Sequence, residues 1–195
     1  MRTHRSGWVR MLTVSAVLAA AVLVGSASAV AQTGGSGPPG GTTTDPAAPT
    51  GVAGVATLAP DGSAIPPTDA PPAVRKAINA GNRIHTLPYV WGGGHNRKFK
   101  GRGYDCSGAV SYVLHAAGLL KSPLDSGSLA RRWGAAGVGQ WITVYANGSH
   151  AYAVIAGLRW DTSSVGEALN QGSGPRWRST QRSPAGYTAK YWPGF

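Results

Sequence analysis

The sequence contains very little cysteine, and this scarcity limits how the fold can be stabilised. Cys106 is the single cysteine among 195 residues, so no disulfide can form within the chain. The hydrophobic core alone must therefore hold the fold together. Acidic residues are also few, with 7 Asp and Glu against 18 Lys and Arg, which gives a formal net charge of +11. No internal repeat is visible in the sequence.

The N-terminal apolar run is too short for an ordinary membrane span. It covers residues 11–24, whereas a spanning helix needs about 20 apolar residues. Basic and small residues flank it: Arg2, Arg5 and Arg10 before the run, and Ala27-Ser28-Ala29 after it. This pattern predicts a secretory signal peptide over residues 1–29, with cleavage after Ala29 or Ala31. We expect an exported chain without stable membrane insertion after cleavage; an uncleaved anchor is the alternative.

Residues 30–70 are rich in Gly, Pro, Thr and Ala, with hardly any large apolar side chain. Such a segment cannot bury enough surface to offset the entropy of ordering it, so we predict a disordered linker. The folded domain is expected over residues 71–195. It should begin with a helix from Pro72 to Gly81, which has proline at its start and glycine at its end. Residues 121–139 are Gly- and Ser-rich, and we predict mostly loop there.

Cys106 lies at the start of a second predicted helix. Apolar residues follow it at the spacing of one helical face. These are Val110, Val113, Leu114 and Ala117. Asp105 fits an N-cap and Gly118 a C-cap. A thiol at a helix N-terminus meets free N–H groups and about half a positive charge, which favours the reactive thiolate. Cys106 is therefore a candidate nucleophile, with a buried structural cysteine as the alternative.

A cysteine nucleophile needs a base, and the base needs a group that fixes its tautomer. Strands are predicted over residues 141–145, 150–156 and 159–162. His150 begins the second of these strands after a Gly-Ser turn, which is a rim position. A hairpin turn at Gly157-Leu158 places Asp161 almost opposite His150. We therefore predict His150 as the base and Asp161 as the residue that orients it; a structural histidine is the alternative.

Two sequence motifs surround these residues. Tyr89-Val90-Trp91-Gly92-Gly93 is followed by Asp105-Cys106-Ser107-Gly108, and then by the strand that begins at His150. This combination resembles the NlpC/P60 cell-wall cysteine peptidases, from about residue 73 to residue 161 and more loosely to the C-terminus. The resemblance implies a papain-like α+β fold. In that fold the nucleophile helix packs on a small antiparallel sheet, which supplies the histidine and a third polar residue.

The resemblance also implies an activity. Members of the family hydrolyse amide bonds in the peptide stems of peptidoglycan, often between D-glutamate and a diamino acid. By this resemblance Cys106 is the nucleophile, His150 the general base and then acid, and Asp161 the orienting residue. Stem recognition is implied for three further positions, namely Tyr89, Asp105 and Ser107.

The chain departs from the family pattern at two positions. The third residue of the family is more often His, Asn or Gln than Asp, so Asn170 and Gln171 are alternatives to Asp161. The glycine that usually follows the histidine by two residues is Tyr152 here. These departures affect the identity of the third residue and the detail of the cleft.

Basic residues cluster beside the cysteine and near the C-terminus. They are Arg97, Lys98, Lys100 and Arg102 in the first cluster, and Arg176, Arg178 and Arg182 in the second. Such a surface attracts anionic envelope polymers over long distances. An exported protein rarely meets nucleic acid, so we expect no such partner, and we expect a monomer. No metal or other cofactor is expected, since His85, His95 and Cys106 have no recognised ligand spacing.

Two other classes of function stay open. A non-catalytic wall-binding or scaffold protein would keep the fold and lose the reactive pair. A related amidase or acyltransferase would keep the pair and change the bond or the acceptor. The presence of both Cys106 and His150 favours an enzyme over a scaffold.

Overall fold

The computed structural model describes residues 54–165 and 173–194, and within these ranges the chain is mixed α+β. The helices are α1 (Pro72–Ile84), α2 (Cys106–Ala116) and α3 (Ser126–Arg132). The strands are β1 (Thr57–Leu58), β2 (Ala64–Ile65), β3 (Ala135–Ala136), β4 (Ile142–Ala146), β5 (Ala151–Ile155), β6 (Leu158–Asp161), β7 (Arg176–Arg178) and β8 (Thr188–Tyr191). The α+β class is confirmed. The predicted signal peptide and residues 30–53 of the predicted linker lie outside the described ranges.

The six-stranded sheet is antiparallel throughout, in the order β3-β8-β4-β5-β6-β7. A tight turn at Ala156 and Gly157, both with positive φ, joins β5 to β6. The register pairs Ala153 with Trp160, so the next pair along brings Asp161 opposite Tyr152. Because side chains alternate between the two faces of a sheet, Asp161 and Tyr152 share the face toward which His150 also projects.

Helix α2 packs against α1 on one side and against β5 and β6 on the other. Its apolar face is buried at Val110, Val113 and Leu114, as its spacing predicted. The indole Nε1 of Trp160 donates to the carbonyl of Ala109 over 3.0 Å, which ties the helix to the sheet. The predicted packing of the helix that carries Cys106 on a small antiparallel sheet is therefore confirmed. Among the described residues, no helix combines the length and apolar composition needed to cross a membrane.

Helix α1 begins at Pro72 as predicted but continues past Gly81 to Ile84. Gly81 does not end the helix; instead, its lack of a side chain leaves space for the ring of Trp177. A Cβ at Gly81 would lie 2.4 Å from the ring of Trp177. The glycine therefore provides space for close packing between α1 and β7.

Helix α3 lies in the region that the composition predicted to be mostly loop. Asp125 caps it by accepting from the Ser128 N–H over 2.8 Å, and Leu129 is fully buried. A cap and one buried leucine are enough for two turns of helix, because tertiary packing stabilises a segment whose intrinsic helix propensity is low.

The folded region begins earlier than residue 71, where the sequence placed the end of the linker. Strands β1 and β2 form a hairpin in which Ala64 is buried and Ala56 donates to the carbonyl of Ala156 over 2.8 Å. The side chain of Asn82 in α1 bonds both the N–H and the carbonyl of Ala64. Composition missed this hairpin because backbone hydrogen bonds and small alanines hold it, rather than large apolar side chains.

Candidate active site

The Cys106 side chain lies at the first position of α2, largely buried, at the edge of a cleft of about 590 Å³. Asp105 caps the helix by accepting from the Gly108 N–H over 2.7 Å. The cleft is lined on one side by Tyr89 and Trp91 and on another by Asp125. The thiol therefore combines a helix N-terminus with access to a space that can admit an extended ligand.

The glycine run before the helix packs tightly on its first turn. Asp105 reaches back to it, accepting from the Gly92 N–H over 3.0 Å. A Cβ at Gly108 would lie 2.0 Å from the carbonyl oxygen of Gly93. The two motifs thus form one unit, because a side chain at Gly108 would separate the loop from the helix that carries the thiol.

We expect Gly108→Ala to lower the free energy of unfolding by about 1–3 kcal/mol, because the added methyl group must displace the backbone of Gly93. Urea unfolding followed by circular dichroism measures this loss. Gly148→Ala is the matched control, since a Cβ there meets nothing within 4 Å. Equal stability of the two variants would contradict the tight packing.

A turn at Asn147 and Gly148 places His150 immediately before β5, one residue ahead of the strand start that the sequence predicted. The side-chain oxygen of Asn147 accepts from the His150 N–H over 3.0 Å, and the Asn147 N–H donates to the His150 carbonyl over 3.0 Å. The Nε2 atom of His150 lies 2.9 Å from Oδ1 of Asp161. The Cys106 side chain lies close enough to the imidazole to help raise the pKa of His150.

The environment of His150 changes its protonation strongly. Burial opposes the charged form, but hydrogen bonds and charge from Asp161 and from Cys106 outweigh burial and raise the pKa of His150 to about 9. The imidazole is therefore protonated at neutral pH. A protonated histidine beside a thiol is the arrangement that supplies both a counter-ion for a thiolate and a proton for a leaving group.

Asp161 is fully buried and both of its oxygens have partners. Oδ1 accepts from His150 and from the Ser163 N–H, the latter over 2.9 Å. Oδ2 lies 3.0 Å from Nη1 of Arg182 and 3.6 Å from Nε of Arg159. Burial opposes ionisation, but bonding and charge from His150, together with Ser163 and Arg182, lower the pKa of Asp161. The carboxylate is thus anionic and fixed toward His150.

The three residues predicted to recognise the substrate all lie at the cleft. Asp105 already accepts four hydrogen bonds from the chain, including one from Ser107 Oγ over 3.2 Å. Tyr89 is partly exposed, and burial with the charges of Cys106 and Asp105 raises its pKa. Capping is therefore established for Asp105, while recognition by Asp105, Ser107 and Tyr89 stays a prediction.

His95 is a cleft residue whose position the sequence did not indicate. Its Nε2 lies 3.0 Å from Oδ1 of Asp105 and 3.2 Å from Oγ of Ser107. Nothing in the spacing of His95 pointed to this contact, because the intervening loop follows no helical or strand period. His115, by contrast, stacks on Phe99 with ring centroids 4.0 Å apart and is exposed on α2, and it does not line the cleft.

The two alternatives for the third residue, Asn170 and Gln171, lie outside the described ranges. Within those ranges, the structure brings His150 and Asp161 together, as the hairpin predicted, with Cys106 near His150. Arg182 joins them from a segment that the sequence had marked only as basic.

Comparison with known proteins gives one distant similarity, to a solved structure. No family model matches the sequence, and no curated protein matches it. Among solved structures, the chain is similar to a hypothetical invasion protein of Mycobacterium tuberculosis, with 23% sequence identity and a TM-score of 0.41. The match covers 61% of this chain and 63% of that chain, which is less than two thirds of either.

Proposed function

We propose that the protein is an exported cysteine hydrolase that cleaves amide bonds in peptidoglycan stem peptides, like the NlpC/P60 peptidases that its motifs resemble. The observation that carries this proposal is the proximity of three side chains, those of Cys106, His150 and Asp161. The Cys106 thiol lies at a helix N-terminus near His150, and Nε2 of His150 lies 2.9 Å from the buried carboxylate of Asp161. Nucleophile, base and orienting group in this order are what acyl transfer requires.

In the proposed reaction the Cys106 thiolate attacks the amide carbonyl carbon, and the electron pair of the C=O bond moves to oxygen. The Cys106 N–H stabilises that oxyanion. Collapse of the tetrahedral intermediate breaks the C–N bond, and His150 gives its proton to the leaving amine. Water then attacks the thioester and gives its proton to His150, the C–S bond breaks, and the carboxylic acid is released with the thiolate and the imidazolium restored. Asp161 holds His150 in one tautomer throughout.

The raised pKa of His150 leads to a pH prediction. The imidazolium is the proton donor, so activity should be lost as pH rises through the folded-state value of about 9 rather than through the ordinary value of about 6.5. Rates of stem-peptide cleavage between about pH 6 and about pH 11 give this limb of the kcat/KM profile. A fall in kcat/KM centred near the ordinary histidine value would contradict the arrangement.

The cleft has the features that a stem peptide needs. Stem peptides present amines and carboxylates along an extended backbone, and two carboxylates, Asp105 and Asp125, line the cleft together with Tyr89. Because Asp105 already accepts four hydrogen bonds, we assign it the role of attracting an amine by charge. Trp91 is 87% exposed at the rim, and its ring offers an apolar surface for the chain of the ligand.

A rigid basic loop beside the cleft supports a second partner, an anionic envelope polymer. The loop, residues 96–102, is fixed by the Asn96 side chain, whose oxygen accepts from the N–H groups of Lys98 and Lys100. Buried Phe99 anchors it. Four basic side chains are thereby exposed, namely Arg97, Lys98, Lys100 and Arg102. We infer a monomer that works at the cell wall, held there by long-range attraction.

The experiment that tests the proposal is mass spectrometry of purified peptidoglycan fragments after incubation with the protein. Cleaved stem peptides support the hydrolase, and the fragment masses identify the bond. Products in which an acyl group has moved to an acceptor other than water contradict hydrolysis and indicate an acyltransferase. Intact fragments, combined with equal binding to sacculi by the parent and by Cys106→Ala, contradict it and indicate a scaffold.

A further inference from the structure

The carboxylate of Asp161 contacts the side chains of both His150 and Arg182. One oxygen, Oδ1, bonds His150, and the other, Oδ2, lies 3.0 Å from Nη1 of Arg182. Arg182 reaches Asp161 from the segment between β7 and β8, and its side chain is only 14% exposed. A charged bond of this length to a buried carboxylate fixes the acid and reduces its charge as seen by His150.

Two tyrosine rings hold the Arg182 guanidinium in this place. Its Cζ lies 5.2 Å from the ring centroid of Tyr152 and 5.3 Å from that of Tyr187. The two rings meet edge to face with centroids 5.2 Å apart, and buried Tyr152 stacks on Tyr145 at 4.9 Å. A planar guanidinium can stack on rings and bond a carboxylate at once, which an ammonium cannot do as well.

We propose that Arg182 is a positioning residue of this site, which acts on His150 through Asp161 by partly neutralising the carboxylate, with Tyr152 and Tyr187 as the walls that keep Arg182 there. The inference rests on the proposed thiol chemistry of Cys106. Its physical reason is that an uncompensated buried carboxylate would bind the imidazolium too strongly. His150 would then be a poorer proton donor to a leaving amine.

This assignment accounts for two departures from the family pattern together. A neutral third residue needs no counter-charge, whereas Asp161 does, and Arg182 supplies it. A glycine at position 152 would leave Arg182 with one ring instead of two. The carboxylate, the cation and the aromatic wall therefore form one unit, linked through contacts of Arg182 with Asp161, Tyr152 and Tyr187.

Several titratable or charged groups face the pair formed by His150 and Asp161. They are Cys106 from α2, Tyr152 from β5, Arg159 from β6, and Arg182 and Tyr187 from the segment before β8. After loss of Arg182, Arg159 and the Ser163 N–H still contact Asp161. The carboxylate should therefore stay near His150 with more of its charge uncompensated.

The test is the pH dependence of iodoacetamide alkylation, which needs no substrate and reports only Cys106 because the chain has no other thiol. A thiol paired with an imidazolium gives two rate steps, and the upper step marks deprotonation of the imidazolium. We expect Arg182→Met to move that step upward by about 0.5 to 1 pH unit. Arg182→Lys keeps the charge but not the planar guanidinium, so it should move the step upward by less than Arg182→Met does. The control Arg83→Met, at an exposed position of α1, should leave the step in place.

A second arm asks whether Arg182 acts through Asp161. In an Asp161→Asn background, Arg182→Met should cause no further shift, since the carboxylate that Arg182 compensates is gone. An unchanged or lowered upper step in Arg182→Met, or the same shift in both backgrounds, would overturn the role of Arg182. If circular dichroism shows that Arg182→Met does not fold, Tyr187→Leu replaces it and should shift the step upward by a smaller amount; no shift overturns the inference.

The same profile separates this inference from the proposed function. A parent protein with a single alkylation step would contradict the pairing of Cys106 with His150, and with it the hydrolase. A parent with two steps that Arg182→Met leaves unchanged would overturn only the positioning role. A roughly tenfold loss of kcat on stem peptides in Arg182→Met would agree with a positioning role when the fold is intact.

Discussion

Replacing Cys106 by alanine should lower kcat for stem-peptide cleavage by on the order of 10⁵-fold or more, to the background rate. No other thiol is present to take over the attack, and removing the nucleophile of an acyl-transfer enzyme leaves only binding and oxyanion stabilisation. Chromatography of purified stem peptides after timed incubation measures the loss. Because the thiol is small and largely buried, the substitution leaves a hole of only one atom and the fold should persist.

Cys106→Ser is the companion variant, since it keeps the shape of the side chain and weakens the nucleophile. It should also be inactive within the range of the assay, while both variants still bind sacculi like the parent. Cleavage that persists in Cys106→Ala would mean that the reaction does not pass through this thiol. In that case the cysteine is a core residue and the cleft serves another purpose.

Asp161→Asn should lower kcat by about 10² to 10⁴-fold with KM little changed, because Asp161 acts on the imidazole and not on the substrate. The amide keeps the size of the carboxylate but removes the charge that stabilises the imidazolium. Without it, the pKa of His150 should fall from about 9. The descending limb of the pH profile should therefore move to lower pH.

Asp61→Asn is the matched control, because Asp61 is exposed in the turn between β1 and β2 and bonds Ser63. It should leave kcat and the pH profile unchanged. Retention of activity within about threefold in Asp161→Asn would argue against Asp161 as the third residue. Asn170 and Gln171 would then be the next residues to replace.

Several elements could be predicted from the sequence because local rules fix them. The start of α2 follows from a cap at Asp105 and an apolar period that needs no information from the rest of the chain. The meeting of His150 with Asp161 follows from a hairpin, since the two residues are 11 positions apart and a tight turn sets the register. In each case the interaction that decides the structure lies within one or two neighbouring elements.

The sequence was less informative where small residues or hydrogen bonds, rather than large apolar side chains, determine the structure. It placed residues 54–70 in a linker because composition counts apolar side chains, whereas that hairpin is held by backbone bonds and by Asn82. It ended α1 at Gly81 because glycine usually stops a helix, whereas this glycine makes room for Trp177. Amino-acid composition and hydrophobic periodicity are properties of one segment. They give no information about the element that packs on that segment in the folded protein.

By itself, therefore, the sequence determined the α+β class, the helix that carries Cys106 and the hairpin that brings His150 to Asp161. Only the tertiary structure placed His95 beside Asp105 and brought Arg182 to the far oxygen of Asp161, 21 residues away in the chain. Local periodicity cannot specify such contacts, because each has at least one partner in a loop that has no period. They form only when the core has fixed where each loop leaves the sheet and where it returns.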